Sequence, residues 1–204
     1  MISLIGACQM QTKPWELYQK QEPTAKPWEL YAPTDKDTPK KYAGEEAILQ
    51  VEKLEGRPLS LAERRVVEEE GYVEGVYKDD KGIETSGVGQ TGEWMGKSFD
   101  ETFKAHEGDA KKMFQSFDAY PEYLQAELIQ AQYRGDVRQS PDFVNMMSEG
   151  RYNEAAEELL NHEEYKERKA KGDDGVTRRL EALQNAVKKY RKEVGDSASS
   201  NGTP

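Results

Sequence analysis

The sequence predicts an α+β fold in which a small antiparallel β lobe joins a larger helical lobe, with an extended N-terminal arm before both. The β lobe is indicated by residues 72–88, which read as a hairpin. Val73, Gly75 and Tyr77 alternate with Tyr72, Glu74 and Val76, the sequence DDKG at residues 79–82 forms a turn, and residues 83–88 return as a second strand. The helical lobe is indicated by apolar residues that recur at helical spacing from Phe99 to Val194. The arm is indicated by a proline-containing repeat near the N-terminus.

A duplicated peptide dominates the N-terminal arm. The sequence KPWELY occurs at residues 13–18 and again at residues 26–31. The repeat is too short to stack into a solenoid core, and its prolines and polar flanks favour an extended or disordered state. Because tryptophan, leucine and tyrosine are costly to leave in water, two interpretations stay open: both copies dock on a partner as tandem anchors, or both fold back on the rest of the protein.

The sequence pattern divides the chain into three parts. Residues 1–57 comprise the arm and a short amphipathic helix over residues 44–55, which the sequence Gly-Arg-Pro at residues 56–58 terminates. Residues 58–193 are predicted to form the folded domain. Residues 194–204 are mostly small and polar, and they are predicted to be a disordered tail.

The helix before the hairpin sets the expected position of Glu70. Ser60 followed by Glu63 is the capping-box pattern that starts a helix. Gly71 comes directly after Glu70 and can take the left-handed conformation that ends a helix. We therefore expect Glu70 at a helix terminus, facing the hairpin.

The segments after the hairpin are predicted to be helical. Residues 99–117 carry phenylalanines at helical spacing and are expected to form one or two helices around a break at the sequence EGD of residues 107–109. A helix that follows Pro121 is expected to be the central helix of the larger lobe. A helix pair over residues 143–165 and a last helix over residues 174–194 complete the lobe.

Charge and cysteine content narrow the possible partners and cofactors. The chain has a net charge of −10 and a sequence pI of about 4.9, which argues against a nucleic acid or an anionic membrane as a partner. Cys8 is the single cysteine, so no internal disulfide can form. With only His106 and His162 beside it, no metal site of soft ligands is expected, and no cofactor is implied.

Two acids and a threonine around the hairpin have the pattern of a glycosidase site. Cleavage of a glycosidic bond needs one protonated carboxyl group as acid and one ionised carboxyl group for water or the sugar cation. Glu70, on a helix end against a sheet, is placed to be desolvated and to hold its proton, whereas Asp79 on an open turn stays charged. Thr85 on the return strand is placed to hold a water between them. An inverting separation of roughly 6.5–9.5 Å is expected between the carboxyl groups.

These residues resemble the T-even-type phage lysozymes of glycoside hydrolase family 24. The family pattern is Glu-Gly followed by Tyr-x-Asp-x-x-Gly-x-x-Thr-x-Gly-x-Gly. The matching positions in this sequence are Glu70, Gly71, Tyr77, Asp79, Gly82, Thr85, Gly87 and Gly89. The resemblance extends over roughly residues 58–193 and implies a lysozyme-like fold. It also implies that Glu70 is the general acid, and that Asp79 and Thr85 position the attacking water.

The resemblance also implies roles for residues outside the motif. Tyr133 and Arg134 fall near the aromatic and polar sugar contacts of the family at the cleft rim. Gln90 replaces a histidine that often follows the Gly-x-Gly, so it is expected to shape substrate binding. The apolar face of the last helix leaves Arg178 or Arg179 free to lean towards the cleft. The family has an arginine in this region that pairs with the catalytic glutamate, and of the two Arg178 is predicted to be this residue. Trp94 is either a lid over the core or a platform for a sugar ring.

The resemblance implies a muramidase that cuts peptidoglycan between N-acetylmuramic acid and N-acetylglucosamine. The repeat and the acidic charge favour an enzyme carried on a phage virion, attached to another virion protein through the KPWELY peptides and acting on the host periplasm or cell wall. A free endolysin, present in the host cytoplasm before lysis, is the first alternative. The others are a lytic transglycosylase, which needs no positioned water, and an inactive structural or attachment protein of the virion.

Overall fold

Among the described residues, four short strands form one antiparallel sheet, and helices make up most of the rest. The structure is a computed structural model that describes residues 39–79, 82–161, 163–172 and 174–200. The KPWELY repeats lie outside the described residues. The strands are β1 (Lys41–Tyr42), β2 (Tyr72–Lys78), β3 (Glu84–Gly87) and β4 (Gln90–Thr91). The α-helices among the described residues are α1 (Gly44–Glu55), α2 (Leu61–Glu70), α3 (Phe99–Met113), α4 (Glu122–Arg134), α5 (Pro141–Ser148), α6 (Tyr152–Glu158), α7 (Glu163–Lys171) and α8 (Asp174–Ser200).

The predicted α+β organisation and hairpin are confirmed. The strands follow the order β1-β2-β3-β4 in the sheet. Strands β2 and β3 are antiparallel, and Lys78 lies opposite Glu84 at the turn end of the pair. The turn is closed because the Asp79 amide donates to the Ile83 carbonyl at 2.9 Å. The register shifts between Val73 and Val76, so β2 is bulged rather than regular.

The helix that leads to Glu70 begins and ends at the predicted residues, but Gly71 does not have the left-handed helical conformation expected of it. The Ser60 hydroxyl accepts a hydrogen bond from the Glu63 amide, and the Glu63 side chain accepts one from the Ser60 amide. The helix ends at Gly71, which has φ of 70° and ψ of −170°. This conformation turns the chain directly into β2, because a residue with a positive φ cannot continue a right-handed helix.

Helix α4 is the centre of the helical lobe, as predicted. It packs against α2, α3 and α8. Leu124, Leu128 and Ile129 on this helix are buried, and so are Leu183 and Val187 on α8. The helix pair predicted over residues 143–165 corresponds to α5 and α6, followed by α7.

The predicted break in the helix over residues 99–117 is wrong, because α3 continues through Gly108 to Met113. Phe99, Phe103 and Ala110 are all buried and form one stripe at helical spacing across the site of the expected break. A glycine in a helix interior costs only about 1 kcal/mol relative to alanine. Burial of the continuous apolar stripe outweighs that cost.

The folded unit begins before the predicted boundary at residues 57 and 58. It starts at Pro39, and Ala47, Ile48 and Val51 of α1 are buried in its core. The amphipathic stripe of α1 is covered by α2, against which the helix packs. Helix α8 extends to Ser200 and includes the first residues of the predicted tail, whereas residues 201–204 lie outside the described ones. No helix in the described part of the chain is long and apolar enough to span a membrane.

Candidate active site

Glu70 lies buried where the end of α2 meets the sheet. Only 7% of its side chain is exposed, and the side chain contacts the backbone of Gly89. A Cβ atom at position 89 would lie 3.0 Å from Glu70 Oε2, and Gly89 has a φ of +65°. The second glycine of the Gly-x-Gly sequence is therefore favoured by its backbone conformation, and the closeness of the acid leaves little room for a Cβ atom there.

The surroundings of Glu70 favour its protonated form. Burial raises the pKa of Glu70 above its ordinary value, because the charged form loses its hydration, and the positive charges of Arg134 and Arg179 oppose this shift only in part. Glu70 Oε2 accepts a hydrogen bond from Arg134 Nη1 at 3.0 Å. Its Oε1 atom is buried and has no hydrogen-bond partner among the described residues. The direction of the pKa shift agrees with the role of a proton donor.

The arginine that pairs with Glu70 is Arg134, and the prediction of Arg178 is wrong. Arg178 Nη2 donates to Glu69 Oε2 at 2.7 Å, and the Glu69 side chain is fully buried. Adjacent residues on a helix point about 100° apart, and the hydrogen bond of Arg178 goes to Glu69 rather than to Glu70. Arg179 is 8% exposed, and its positive charge acts on Glu70.

Tyr133 fastens the Gly-x-Gly segment to α4. Its hydroxyl donates to the carbonyl of Val88 at 2.7 Å, and burial raises the pKa of Tyr133, so the hydroxyl stays protonated. The Tyr133 ring lies 4.7 Å from the His106 ring, and the His106 ring lies 5.3 Å from the Trp94 ring. Tyr133 therefore positions the loop over Glu70 and begins a row of three rings.

Gln90 is part of the fold as well as of the cleft. It is 5% exposed, and its Nε2 atom donates to the Lys97 carbonyl and to Thr102 Oγ1, each at 2.9 Å. Its side-chain amide thus joins β4 to the beginning of α3. Gln90 also lines the cleft, and its predicted effect on substrate binding stays a prediction.

Asp79 and Thr85 both hold Ile83 in the hairpin turn. Asp79 Oδ1 accepts a hydrogen bond from the Ile83 amide at 2.8 Å, and Thr85 Oγ1 donates to the Ile83 carbonyl at 3.2 Å. Thr85 is 4% exposed. These contacts stabilise the turn, and the roles of the two side chains toward water stay predictions.

A cleft of about 230 Å³ lies beside the Glu70–Arg134 pair. Arg134 connects the pair to the cleft, because it donates a hydrogen bond to Glu70 and also lines the cleft. Other side chains that line it are Gln90, Thr91, Trp94, Thr102, His106, Gln132, Tyr133 and Arg138. In the described ranges, no group of three histidine, cysteine, aspartate or glutamate side chains is placed to hold a metal ion.

Sequence reasoning missed His106 and Arg138, and it considered Arg179 but chose Arg178 instead. His106 had a detectable signal, because it stands at helical spacing after Phe99 and Phe103 on the buried stripe of α3, where an apolar residue is expected. Arg138 follows the end of α4 in a short 3₁₀ turn, and nothing in the local pattern distinguishes it from other surface arginines. Only the fold brings it to the cleft.

No protein-family model matches the chain, and no curated protein is detectably similar to it in sequence. The resemblance to the phage lysozymes therefore depends on the motif between Glu70 and Gly89 and on the weaker similarity that follows it. In the structure, the two ends of that motif are in contact, since Gly89 lies against the Glu70 carboxyl group.

Proposed function

We propose that the protein is a muramidase, which hydrolyses the β-1,4 bond between N-acetylmuramic acid and N-acetylglucosamine in peptidoglycan. The observation that carries this proposal is the buried Glu70 carboxyl group, which is 7% exposed and has a pKa raised by burial. A carboxyl group whose pKa is raised beside a cleft suits the general acid that the departure of a sugar hydroxyl requires. The motif around Glu70 supports peptidoglycan as the substrate by resemblance.

In the proposed reaction, Glu70 gives its proton to the glycosidic oxygen as the bond from that oxygen to the anomeric carbon breaks. A water adds to the anomeric carbon, and Asp79 takes the proton that this water releases. Thr85 orients the water. Arg134 and Arg179 lower the free energy of the Glu70 carboxylate that remains after proton transfer, because both place positive charge near it.

The identity of the product ends tests the proposal. Purified peptidoglycan is incubated with the full-length protein, and the released fragments are identified by mass. Reducing N-acetylmuramic acid ends are expected from hydrolysis at the proposed bond. Ends with a 1,6-anhydro ring would instead identify a lytic transglycosylase, and no release by a folded protein would favour an inactive structural or attachment protein.

We further propose that the enzyme is carried on a phage virion and acts on the wall of the host. The duplicated KPWELY peptide and the net charge of −10 support this proposal, since tandem anchors suit attachment and an acidic enzyme is not drawn to an anionic wall by its own charge. Mass spectrometry of purified phage particles distinguishes an enzyme carried on the virion from a free endolysin. Presence in the particles supports attachment, whereas absence favours a free endolysin.

Replacing Arg134 by glutamine is expected to move the basic limb of the pH–activity profile to higher pH. Arg134 lowers the pKa of Glu70 through its charge and its hydrogen bond. Without Arg134, less opposes the effect of burial, so the pKa of Glu70 is expected to rise further. The acid is active when protonated, and activity is lost as the pH rises through the pKa of Glu70. Hydrolysis rates measured across pH give the position of this limb. A limb that moves to lower pH, or not at all, would contradict the assignment of this arginine as the partner of Glu70.

A further inference from the structure

Two arginines converge on Glu70, and one of them is almost fully buried. Arg134 on α4 donates to Glu70 Oε2 at 3.0 Å, and Arg179 on α8 is 8% exposed. The Nε atom of Arg179 is buried and has no hydrogen-bond partner among the described residues. The positive charge of Arg179 acts on Glu70, and the two arginines repel each other. Two positive charges beside a single carboxyl group would favour the loss of its proton.

A buried arginine needs a negative charge close to it, and a protonated Glu70 cannot supply one. An ion that leaves water is stabilised in a protein only by an opposite charge or by hydrogen bonds that replace its hydration. Glu70 provides a negative charge only after it has given up its proton. The protonated state that a general acid needs therefore requires a second carboxylate near Arg179.

Asp136 is placed to be this second carboxylate. It follows the end of α4, where Gly135 has a φ of 79° and the Asp136 amide donates to the Ala131 carbonyl at 2.9 Å. This turn fixes Asp136 two residues after Arg134, at the end of α4 that contacts Glu70. The Oδ2 atom of Asp136 is buried. Helix α4 packs against α8, which carries the buried arginine.

The charge of Asp136 acts on both neighbours with the sign that this role requires. It raises the pKa of Glu70, because a like charge disfavours the carboxylate. It also raises the pKa of Arg179, because an opposite charge favours the guanidinium ion. Arg134 and Arg179 act on Glu70 in the opposite direction, and both lower its pKa.

Two other titratable groups act within this cluster. Glu69 on α2 acts on Arg179 less strongly than Asp136 does, and its carboxylate bonds Arg65 and Arg178. Tyr133 on α4 is kept neutral by burial, which raises its pKa, so it adds no charge. The main negative charge that opposes the buried arginine while Glu70 is protonated is therefore that of Asp136.

We infer that Asp136 is a positioning residue of the site, which offsets the charge of Arg179 and thereby lets Glu70 keep its proton until the sugar leaves. The inference rests on the proposed function, in which Glu70 is the general acid. Before proton transfer, the Asp136 carboxylate balances one of the two arginines. After proton transfer, the new Glu70 carboxylate balances the other. Asp136 itself neither gives nor takes a proton in this step.

Nuclear magnetic resonance of the full-length protein with isotope-labelled glutamate measures this effect directly. The Glu70 carboxyl signal is identified by its loss in Glu70→Gln, and its titration midpoint is followed against pH. Asp136→Asn is expected to lower the midpoint, because the amide keeps the size of the side chain and removes its charge. Asp136→Glu, which keeps the charge, is expected to restore the midpoint at least in part. In Asp136→Asn the basic limb of the pH–activity profile is expected to move to lower pH, opposite to the shift expected for Arg134→Gln.

Asp142→Asn is the matched control, because it makes the same substitution at an exposed residue in the first turn of α5. It is expected to leave the Glu70 midpoint at its wild-type value. If Asp136→Asn does not fold, Arg179→Gln is compared with the double variant that also carries Asp136→Asn, since neither buries the arginine without its carboxylate. The midpoint is then expected to be lower in the double variant than in Arg179→Gln.

A Glu70 midpoint that Asp136→Asn leaves unchanged or raises would overturn the inference, and so would an equal fall in Asp142→Asn. The midpoint is measured without substrate, so it does not depend on hydrolysis. A lowered midpoint in a protein that releases no reducing ends supports the action of Asp136 on Glu70 and contradicts the muramidase proposal. Hydrolysis of peptidoglycan with an unchanged midpoint does the reverse, so the two proposals fail separately.

Discussion

Replacing Glu70 by glutamine is expected to lower the rate of reducing-end release by about 10²–10⁴-fold, because the amide cannot act as a general acid. Glutamine has nearly the same size and shape, so Gly89 can keep its contact with the side chain. The rate on purified peptidoglycan is the measurement. Retention of activity by this variant would contradict the assignment of Glu70 as the acid.

Glu69→Gln is the matched control for this experiment. Glu69 is the preceding residue on α2, its side chain is fully buried, and it bonds Arg178 rather than Arg134. Its replacement also removes a buried carboxylate, so it is expected to lower stability while leaving the specific activity of the folded protein near that of wild type. An equal loss of specific activity in both variants would indicate general damage to the fold.

The Glu70→Gln variant is also expected to differ from wild type in how its free energy of unfolding depends on pH. Burial raises the pKa of Glu70 in the folded protein, so at intermediate pH the folded state keeps a proton that the unfolded chain has released. The wild-type free energy of unfolding therefore falls as the pH rises from the ordinary glutamate value through the raised one. Glu70→Gln lacks this dependence, so its stability relative to wild type is expected to increase over that interval.

Replacing Gly71 by alanine is expected to destabilise the protein by about 2–3 kcal/mol and to lower its Tm by about 5–10 °C. Gly71 has a φ of +70°, which strains any residue with a Cβ atom. In addition, that atom would lie 2.7 Å from the backbone carbonyl oxygen of Tyr42 on β1. Thermal unfolding followed by circular dichroism measures the change.

Gly108→Ala is the control for Gly71→Ala, because the same substitution is expected to raise stability at position 108. Gly108 lies within α3, and a Cβ atom built there has no heavy atom within 4 Å. Alanine is expected to stabilise the protein by about 0.5–1 kcal/mol, because it favours the helix and restricts the unfolded chain. A Gly71→Ala variant as stable as wild type would contradict the packing of β1 against the end of α2.

Local sequence signals determined the elements that carry Glu70. Ser60 and Glu63 predicted the start of α2, Gly71 predicted its end, and the DDKG sequence predicted the hairpin turn. These features depend on interactions between residues three or four positions apart, so they can be read without knowledge of the fold. The apolar spacing after Pro121 likewise predicted α4, because helical periodicity is a property of the segment itself.

Tertiary structure alone decided which side chains meet around Glu70. Sequence reasoning chose Arg178 as its partner, yet the packed helices bring Arg134 to Glu70 and leave Arg178 with Glu69. A rotation of about 100° separates neighbouring positions on a helix, so the partner depends on how the helices are rotated and crossed. The same holds for Arg138, which reaches the cleft only because α3 and α4 pack together. Long-range packing sets these angles, and no short stretch of sequence encodes them.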